Sequence, residues 1–317
     1  MPIGGLQDSR LVSQSTRTAG DRSPHVDYSL AHPKVLSSAA GRGARVAQQI
    51  RAVLCQSRFT APSRLGRCLD IGSSAGVVAQ HLAEWADWVY CVDVDRAALA
   101  AGRRAGRLAD SLRLVLTDGI EIPFADDCFD LVVFRRVYGY CPLSTQEHLF
   151  AEIKRVLRPG GLCYFEGHNL LAVLEPDYRI PFLQLAPAGL TTAILRMLGV
   201  RRPSFGRYRS YWGLRSMVYR QSFLLDFMTP MVLKAPAKLG FTRLQRWALP
   251  TRLVPLWLLR LCEPLQPVHI WVLKKPEQAG FPRPLASHPP SQDQRRGNIG
   301  SETPPPYSAG VSHPGRE

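Results

Sequence analysis

Arg67-Cys68-Leu69-Asp70-Ile71-Gly72-Ser73-Ser74-Ala75-Gly76 reads as an apolar strand that stops on a carboxylate, turns through small residues and enters a helical pattern. A strand, glycine turn and helix start in that order hold a nucleotide-like ligand against backbone N–H groups and a helix N-terminus. Three chemistries share this outline. A dinucleotide fingerprint needs glycines at 74 and 77, where Ser74 and Val77 stand. A G-x-S-x-G nucleophile elbow fits letter by letter with Ser74 as nucleophile, but that motif follows earlier strands that supply half the oxyanion hole, and no strand pattern precedes residue 67. The third chemistry depends on what lies downstream.

Apolar runs then alternate with helical patterns, the signature of a mainly parallel sheet with helices on both faces. The pattern predicts a helix near 34–57, strands at 67–71, 88–93, 112–116, 129–134 and 162–166, and helices at 75–86, 96–107 and 145–157. Ser144 and Glu147 have the spacing of a capping box, and Pro159-Gly160-Gly161 follows the last helix. From 168 to 238 the alternation stops, and aromatic, proline and arginine residues dominate, as in an inserted cap. The sheet is expected to resume over 240–247 and to close with 268–273, giving a doubly wound α/β fold of seven strands, Rossmann-like, with the cap between the fifth and sixth. Residues 1–30, without apolar periodicity, and 276–317, rich in proline, are expected to be disordered and to flank one domain over 31–275.

Several residues fall where such a sheet exposes its ligand crevice. Asp93 ends the second strand 21 residues past Gly72, where a carboxylate can accept hydrogen bonds from both ribose hydroxyls. Leu114-Val-Leu-Thr-Asp-Gly119 places Asp118 and Gly119 in the turn after the third strand, and Phe129-Asp-Leu-Val-Val133 then leads to Arg155-Val-Leu-Arg-Pro-Gly-Gly161. With this ordered set the chain resembles the class I S-adenosylmethionine-dependent methyltransferases, in the group with a type 11-like domain that holds small-molecule and lipid-quinone enzymes. The resemblance covers about residues 35–168. It implies that Asp70, Gly72, Ser74 and Gly76 surround the methionine part of S-adenosylmethionine, that Asp93 holds the ribose, and that Asp118 and Gly119 meet the adenine. It also implies that Arg135 lies where the sulfonium end faces the acceptor. The sequence departs from the family at Ser74, where glycine is usual, and at Arg135-Arg136, where an apolar or acidic pair is usual.

Methyl transfer from a sulfonium is chiefly a matter of positioning. A hydroxyl acceptor also needs a base, for which His168, just past the fifth strand, and Asp177 or Tyr178 in the cap are the candidates. His148 and His269 fall inside a helix and a strand and read as structural. No metal is expected.

Charge is unevenly placed. Residues 59–168 carry 12 Lys and Arg against 14 Asp and Glu, whereas residues 169–275 carry 16 against 4. The basic half suits an anionic partner, and a solvated arginine-rich surface is the alternative. The expected partner is a small-molecule, sugar-like or lipid-linked anionic acceptor, with O-methylation favoured and peripheral membrane contact allowed. The segment 249–265 interleaves Leu and Trp with Arg and fits either a membrane surface or, as the sequence reading prefers, a core-facing helix. Neither it nor 180–200 reads as a transmembrane helix. A nucleic-acid methyltransferase could also use the basic half, but no Asn/Asp-Pro-Pro-aromatic tetrapeptide follows the fourth strand, and Cys141-Pro142 is not in Pro-Cys order. A serine hydrolase through Ser74 and a non-enzymatic cofactor-binding regulator complete the alternatives. Seven cysteines without C-x-x-C spacing and the lack of a signal-peptide pattern lead to the expectation of a cytoplasmic protein.

Overall fold

In the computed structural model the described residues are 40–105, 109–117, 119–200, 205–241, 251 and 253–277. A seven-stranded sheet runs through them in the order β3-β2-β1-β4-β5-β7-β6. The strands are β1 Leu65–Ile71, β2 Ala86–Asp93, β3 Leu112–Leu116, β4 Phe129–Arg135, β5 Leu157–His168, β6 Leu224–Phe227 and β7 Val268–Lys274. The first five pair in parallel, and β7 runs antiparallel to both β5 and β6. This is the doubly wound, mostly parallel α/β arrangement that the alternating pattern predicts.

Both faces of the sheet are covered, which is why its central strands read as continuous apolar runs. Alternate side chains enter two separate cores. Cys68, Leu131, Val133, Tyr164 and Val272 pack on one side beneath Val46, Ile50, Val53 and Leu54 of helix α1, Ala40–Gln56. Leu69, Val132, Phe134, Phe165 and Trp271 pack on the other, against Leu149, Phe150 and Ile153 of helix α4, Gln146–Val156. Helices α2, Ala79–Leu82, and α3, Arg96–Arg104, come between them in the chain.

The chain order reverses between β1 and β4, so the carboxyl ends of these strands splay into a crevice. Gly72 closes its floor, since a Cβ there would overlap the Cγ2 methyl of Val137, just beyond β4. Its φ of +69° is also one that side chains rarely adopt.

Four details differ from the sequence reading. The helix expected over 75–86 is only the four residues of α2, because Gly72, Ser74 and Gly76 all take positive φ and the chain is still turning at 78. The Ser144–Glu147 capping box does not form. Thr145 takes the cap position with no side-chain cap bond, and Glu147 is held by two hydrogen bonds from Arg220 at 2.7 and 2.9 Å. β5 begins at Leu157 rather than 162 because a bulge absorbs Arg158 to Gly161 against β4. The sixth strand is Leu224–Phe227, within the expected cap, and residues 242–247 of the strand predicted at 240–247 lie outside the described residues.

The insertion between β5 and β6 holds helices α5, Ala188–Met197, and α6, Tyr211–Arg220. Helices α7, Thr229–Lys234, and α8, Leu256–Leu261, fall between β6 and β7. Of the segments expected to be disordered, 1–30 and 276–317, all but residues 276 and 277 lie outside the described residues.

Candidate functional site

Asp93, at the tip of β2, is the best-ordered polar group of the crevice. Its Oδ2 accepts the Ser74 N–H at 2.6 Å and its Oδ1 the Asp95 N–H at 2.8 Å, which fixes the plane of the carboxylate. Each oxygen keeps a lone-pair direction for a further donor. Burial pushes the Asp93 carboxyl above its ordinary range, and the amides of Asp95 and Ser74 pull it back. Asp95 caps α3 by accepting the Ala98 N–H at 3.0 Å, which anchors the segment that carries Asp93.

The turn works differently from the sequence reading. The Gly72 and Ser73 N–H groups both donate to Val92 O, at 2.8 and 3.3 Å, and that of Ser74 goes to Asp93. These amides therefore tie the turn to β2 instead of facing a ligand, and α2 is too short to present a helix N-terminus. What the glycines and the left-handed Ser74 contribute is a close wrap of backbone around the carboxylate. Among the described residues the Ser74 hydroxyl has no hydrogen bond to a histidine or carboxylate, so the nucleophile-activating pair of a serine hydrolase is not assembled there.

Asp70 ends in the buried floor, where burial pushes its carboxyl up to about 7, the Arg135 guanidinium opposes the shift and Asp93 adds to it. Gly119 follows β3 with φ +78° beside Val94. Asp118 lies outside the described residues.

On the acceptor side the arginine doublet after β4 meets Glu166 near the end of β5. Arg135 Nε donates to Glu166 Oε2 at 2.7 Å and Arg136 Nε to Oε1 at 2.5 Å, while the Tyr164 hydroxyl reaches Oε2 at 3.2 Å. Burial would raise the Glu166 carboxyl, but the two guanidiniums outweigh it and bring it down to about 2. Arg135 is thus half-buried over an anion of its own, in contact range of Asp70 by charge. Arg136 takes a left-handed backbone, its N–H reaching Glu166 O at 2.6 Å.

His168 closes β5 with its ring edge-on to Tyr208, 5.7 Å between centroids. Burial and Arg136 push its pKa down to about 4, so the ring is neutral near pH 7 and can accept a proton. The backbone carbonyl of His168 accepts the Tyr138 hydroxyl. Tyr208 lies flat on the backbone at Gly139, where a Cβ would overlap its ring, which seats the insertion on the β4 end. Asp177 accepts the Tyr140 hydroxyl at 2.7 Å. Glu175 accepts the N–H groups of Asp177 and Tyr178 at 2.9 and 2.7 Å, and burial pushes its carboxyl up to about 7.

The structure therefore brings Asp70, Gly72, Ser74, Gly76, Asp93 and Arg135 to one set of strand ends, with His168 beside them and Asp177 and Tyr178 on the insertion above. Sequence reasoning missed Glu166, Tyr140, Glu175 and Tyr208. A signal for Glu166 did exist: a lone acid near the end of one strand and two arginines ending its neighbour, at positions the register pairs as Arg135 and Glu166. A separate cavity of about 520 Å³ at the β6 edge, lined by residues such as Arg58, Met231 and Arg260, contains none of these groups.

A family profile described as a methyltransferase domain matches residues 69–165. A ubiquinone/menaquinone biosynthesis C-methyltransferase of Paracoccus denitrificans is 34% identical over 131 residues, covering 40% of this chain and 49% of that protein. A malonyl-[acyl-carrier protein] O-methyltransferase of Geobacter sulfurreducens is 32% identical over 118 residues, covering 36% of this chain and 43% of that protein. The chain thus spans about half the length of the curated relatives it matches. A solved S-adenosylmethionine-dependent methyltransferase of Mesorhizobium loti superposes with a TM-score of 0.48 at 17% identity, over 71% of this chain and 95% of that one.

Proposed function

We propose that this chain, whose residues 69–165 form a class I methyltransferase domain, transfers a methyl group from S-adenosylmethionine to an acceptor seated over the ends of β4 and β5. The observation that carries the reading is the Asp93 carboxylate at the tip of β2, held by the backbone amides of Ser74 and Asp95 beside the glycine turn. That chemistry suits a pair of ribose hydroxyls. Asp70, Ser74 and the turn glycines would lie along the amino-acid end, and Gly119 beside the base.

Bound S-adenosylmethionine supplies an activated methyl on a sulfonium with a good leaving group. The chain's own work is to orient the acceptor, exclude water and, for a hydroxyl, remove its proton. Neutral His168 can accept a proton. The Glu175 carboxyl, at about 7, is better matched to a base working near neutral pH, with Asp177 and Tyr178 positioned by it. The paired Arg135 and Arg136 leave one positive charge beyond Glu166, which favours an anionic acceptor. We favour an oxygen acceptor on a sugar-like, phenolic or lipid-linked molecule. Carbon acceptors, as in the name of the quinone-pathway relative, need no stronger base than this.

Calorimetry with S-adenosylmethionine and S-adenosylhomocysteine tests the pocket. Wild type is expected to bind both, and Asp93→Ala to lose affinity by about a hundredfold or more, because two charge-assisted hydrogen bonds at roughly 1.5–3 kcal/mol each are removed. No binding by wild type, or undiminished binding by the variant, overturns the assignment. Labelled methyl transfer into the lipid or aqueous fraction of an extract then separates the acceptor classes.

A further inference from the structure

The insertion buries an apolar core of its own, including Leu195, Leu214 and Met217, and leaves further apolar side chains outside. Helix α5 buries Leu195 and Thr191, whose hydroxyl donates to Pro187 O at 3.1 Å, and exposes Leu190, Ala193 and Met197, spaced for one face, with Leu198 beyond them. Met197 is 87% exposed. A second apolar line runs through Leu253, Trp257, Leu261 and Leu265, four residues apart, each at least 67% exposed. Monomeric proteins rarely leave so much contiguous apolar surface open without a partner.

Asn169 joins the two. Its side-chain amide donates to Pro264 O and Gln266 O at 2.8 and 2.9 Å, and its backbone N–H to Pro267 O at 3.0 Å, so the start of the insertion is stitched to the end of the second line. From there the segment 170–174 is bonded to Phe182 and Gln184, and Leu183 O lies within reach of Thr191 on α5. The first exposed apolar side chain of this track, Leu171, therefore stands three residues past His168, at the acceptor side of the crevice.

The charges along the track are of one sign. Residues 169–223 carry eight arginines and two carboxylates, and residues 251–265 two arginines and one carboxylate. Glu175 and Glu263 are buried, and Asp177 is half-buried and bonded to Tyr140. Arg179, Arg196 and Arg260 are exposed among the leucines. Exposed leucine, methionine and tryptophan interleaved with arginine, and no exposed acid, match the boundary between acyl chains and anionic headgroups. A polyphosphate would match the arginines but not the leucines.

We propose that this track is a membrane-docking surface for an anionic bilayer, set so that the acceptor side of the crevice opens toward the lipid. The surface itself stands on exposure and charge, whereas its orientation toward the acceptor side rests on the proposed methyl transfer. No described helix is long and apolar enough to span a bilayer, so the contact is interfacial.

Flotation of the full chain with phosphatidylcholine vesicles, with and without phosphatidylglycerol, tests this without any cofactor. Binding is expected only with phosphatidylglycerol and should weaken with added salt. Leu190→Glu and Trp257→Glu, both at exposed positions, should each lower partitioning at least tenfold. Arg196→Ala should lower it about fivefold, whereas Arg104→Ala on α3, an equal charge loss elsewhere, should leave it unchanged. Melting temperatures of the variants verify that each is folded. Failure of wild type to float with anionic vesicles overturns the proposal, as does equal loss in Arg104→Ala. A stable dimer that Leu190→Glu dissociates, with vesicle binding unaffected, would assign the face to a second copy and equally overturn it.

Discussion

Gly72→Ala is expected to destabilise the fold by roughly 2–5 kcal/mol, in two separable parts. Holding an alanine at a left-handed φ, here +69°, costs about 1–2 kcal/mol. The new methyl would also overlap the Cγ2 of Val137, with its Cγ1 and Cβ at 3.2 and 3.3 Å, and overpacking of this kind costs about 1–3 kcal/mol. The three nearest atoms all belong to Val137, so Val137→Ala removes the two methyls, keeps only the Cβ at 3.3 Å and leaves chiefly the conformational part. On its own Val137→Ala, at a half-buried site, should cost about 1 kcal/mol. The double variant should then be more stable than the sum of the single changes predicts, by about 1–3 kcal/mol. Urea denaturation of the four proteins measures this, with constant m-values as the check that the unfolded state is unchanged. Wild-type stability in Gly72→Ala, or strict additivity in the double variant, would refute the reading of Gly72 as the crevice floor.

The two buried carboxylates should respond oppositely to neutralisation. Glu166 ionises near 2 in the fold against 4.5 ordinarily, so its contribution is complete above 4.5 and fades as pH falls toward 2. Glu166→Gln strands two guanidiniums and should cost about 3–5 kcal/mol at neutral pH, read by thermal melts across pH. Asp70 ionises near 7 in the fold against 3.8 ordinarily, so between those values the folded chain holds a proton the unfolded chain has released. Stability therefore declines as pH rises through that window. Asp70→Asn should accordingly stabilise the protein by on the order of 2–4 kcal/mol above pH 7 while weakening cofactor binding; equal melting temperatures at high pH would count against it. Finally, Glu175→Gln should lower kcat and remove an inflection near pH 7 from its pH profile, and an unchanged profile would exclude Glu175 as the group that sets it.

What the sequence disclosed was whatever short-range pattern carries. Parallel strands buried on both faces announce themselves as apolar runs, and the spacing from Gly72 to Asp93 is one strand-helix-strand unit long. Features set by distant parts of the chain were not legible. β6 has four residues, Leu-Leu-Asp-Phe, directly after a helix, and is a strand because Leu224 to Phe227 pair with β7. The capping box failed because Arg220, 73 residues away, takes Glu147. The turn amides were expected to face a ligand, but the register of β1 with β2 puts Val92 O and Asp93 within their reach.

Side-chain periodicity establishes that a helix has two faces; it does not say which faces inward. The default places leucine inside, which holds for Leu195 and Leu259 but not for Leu190 and Met197 or for Leu253, Trp257, Leu261 and Leu265. In α5 Thr191 shares the inward face with Leu195, because its hydroxyl returns its hydrogen bond to Pro187 O within the same turn and so enters the interior satisfied. In the second segment Leu259 alone of α8 is buried, and its neighbours Trp257 and Leu261 are left outside. The charge asymmetry supplies what periodicity lacks. The one carboxylate of these segments, Glu263, is turned inward and Arg196 and Arg260 outward, an arrangement that raises the cost of self-association through like-charge repulsion and lowers it toward an anionic surface. Exposed apolar side chains on an otherwise cationic face therefore favour lipid over a second copy of the same cationic face.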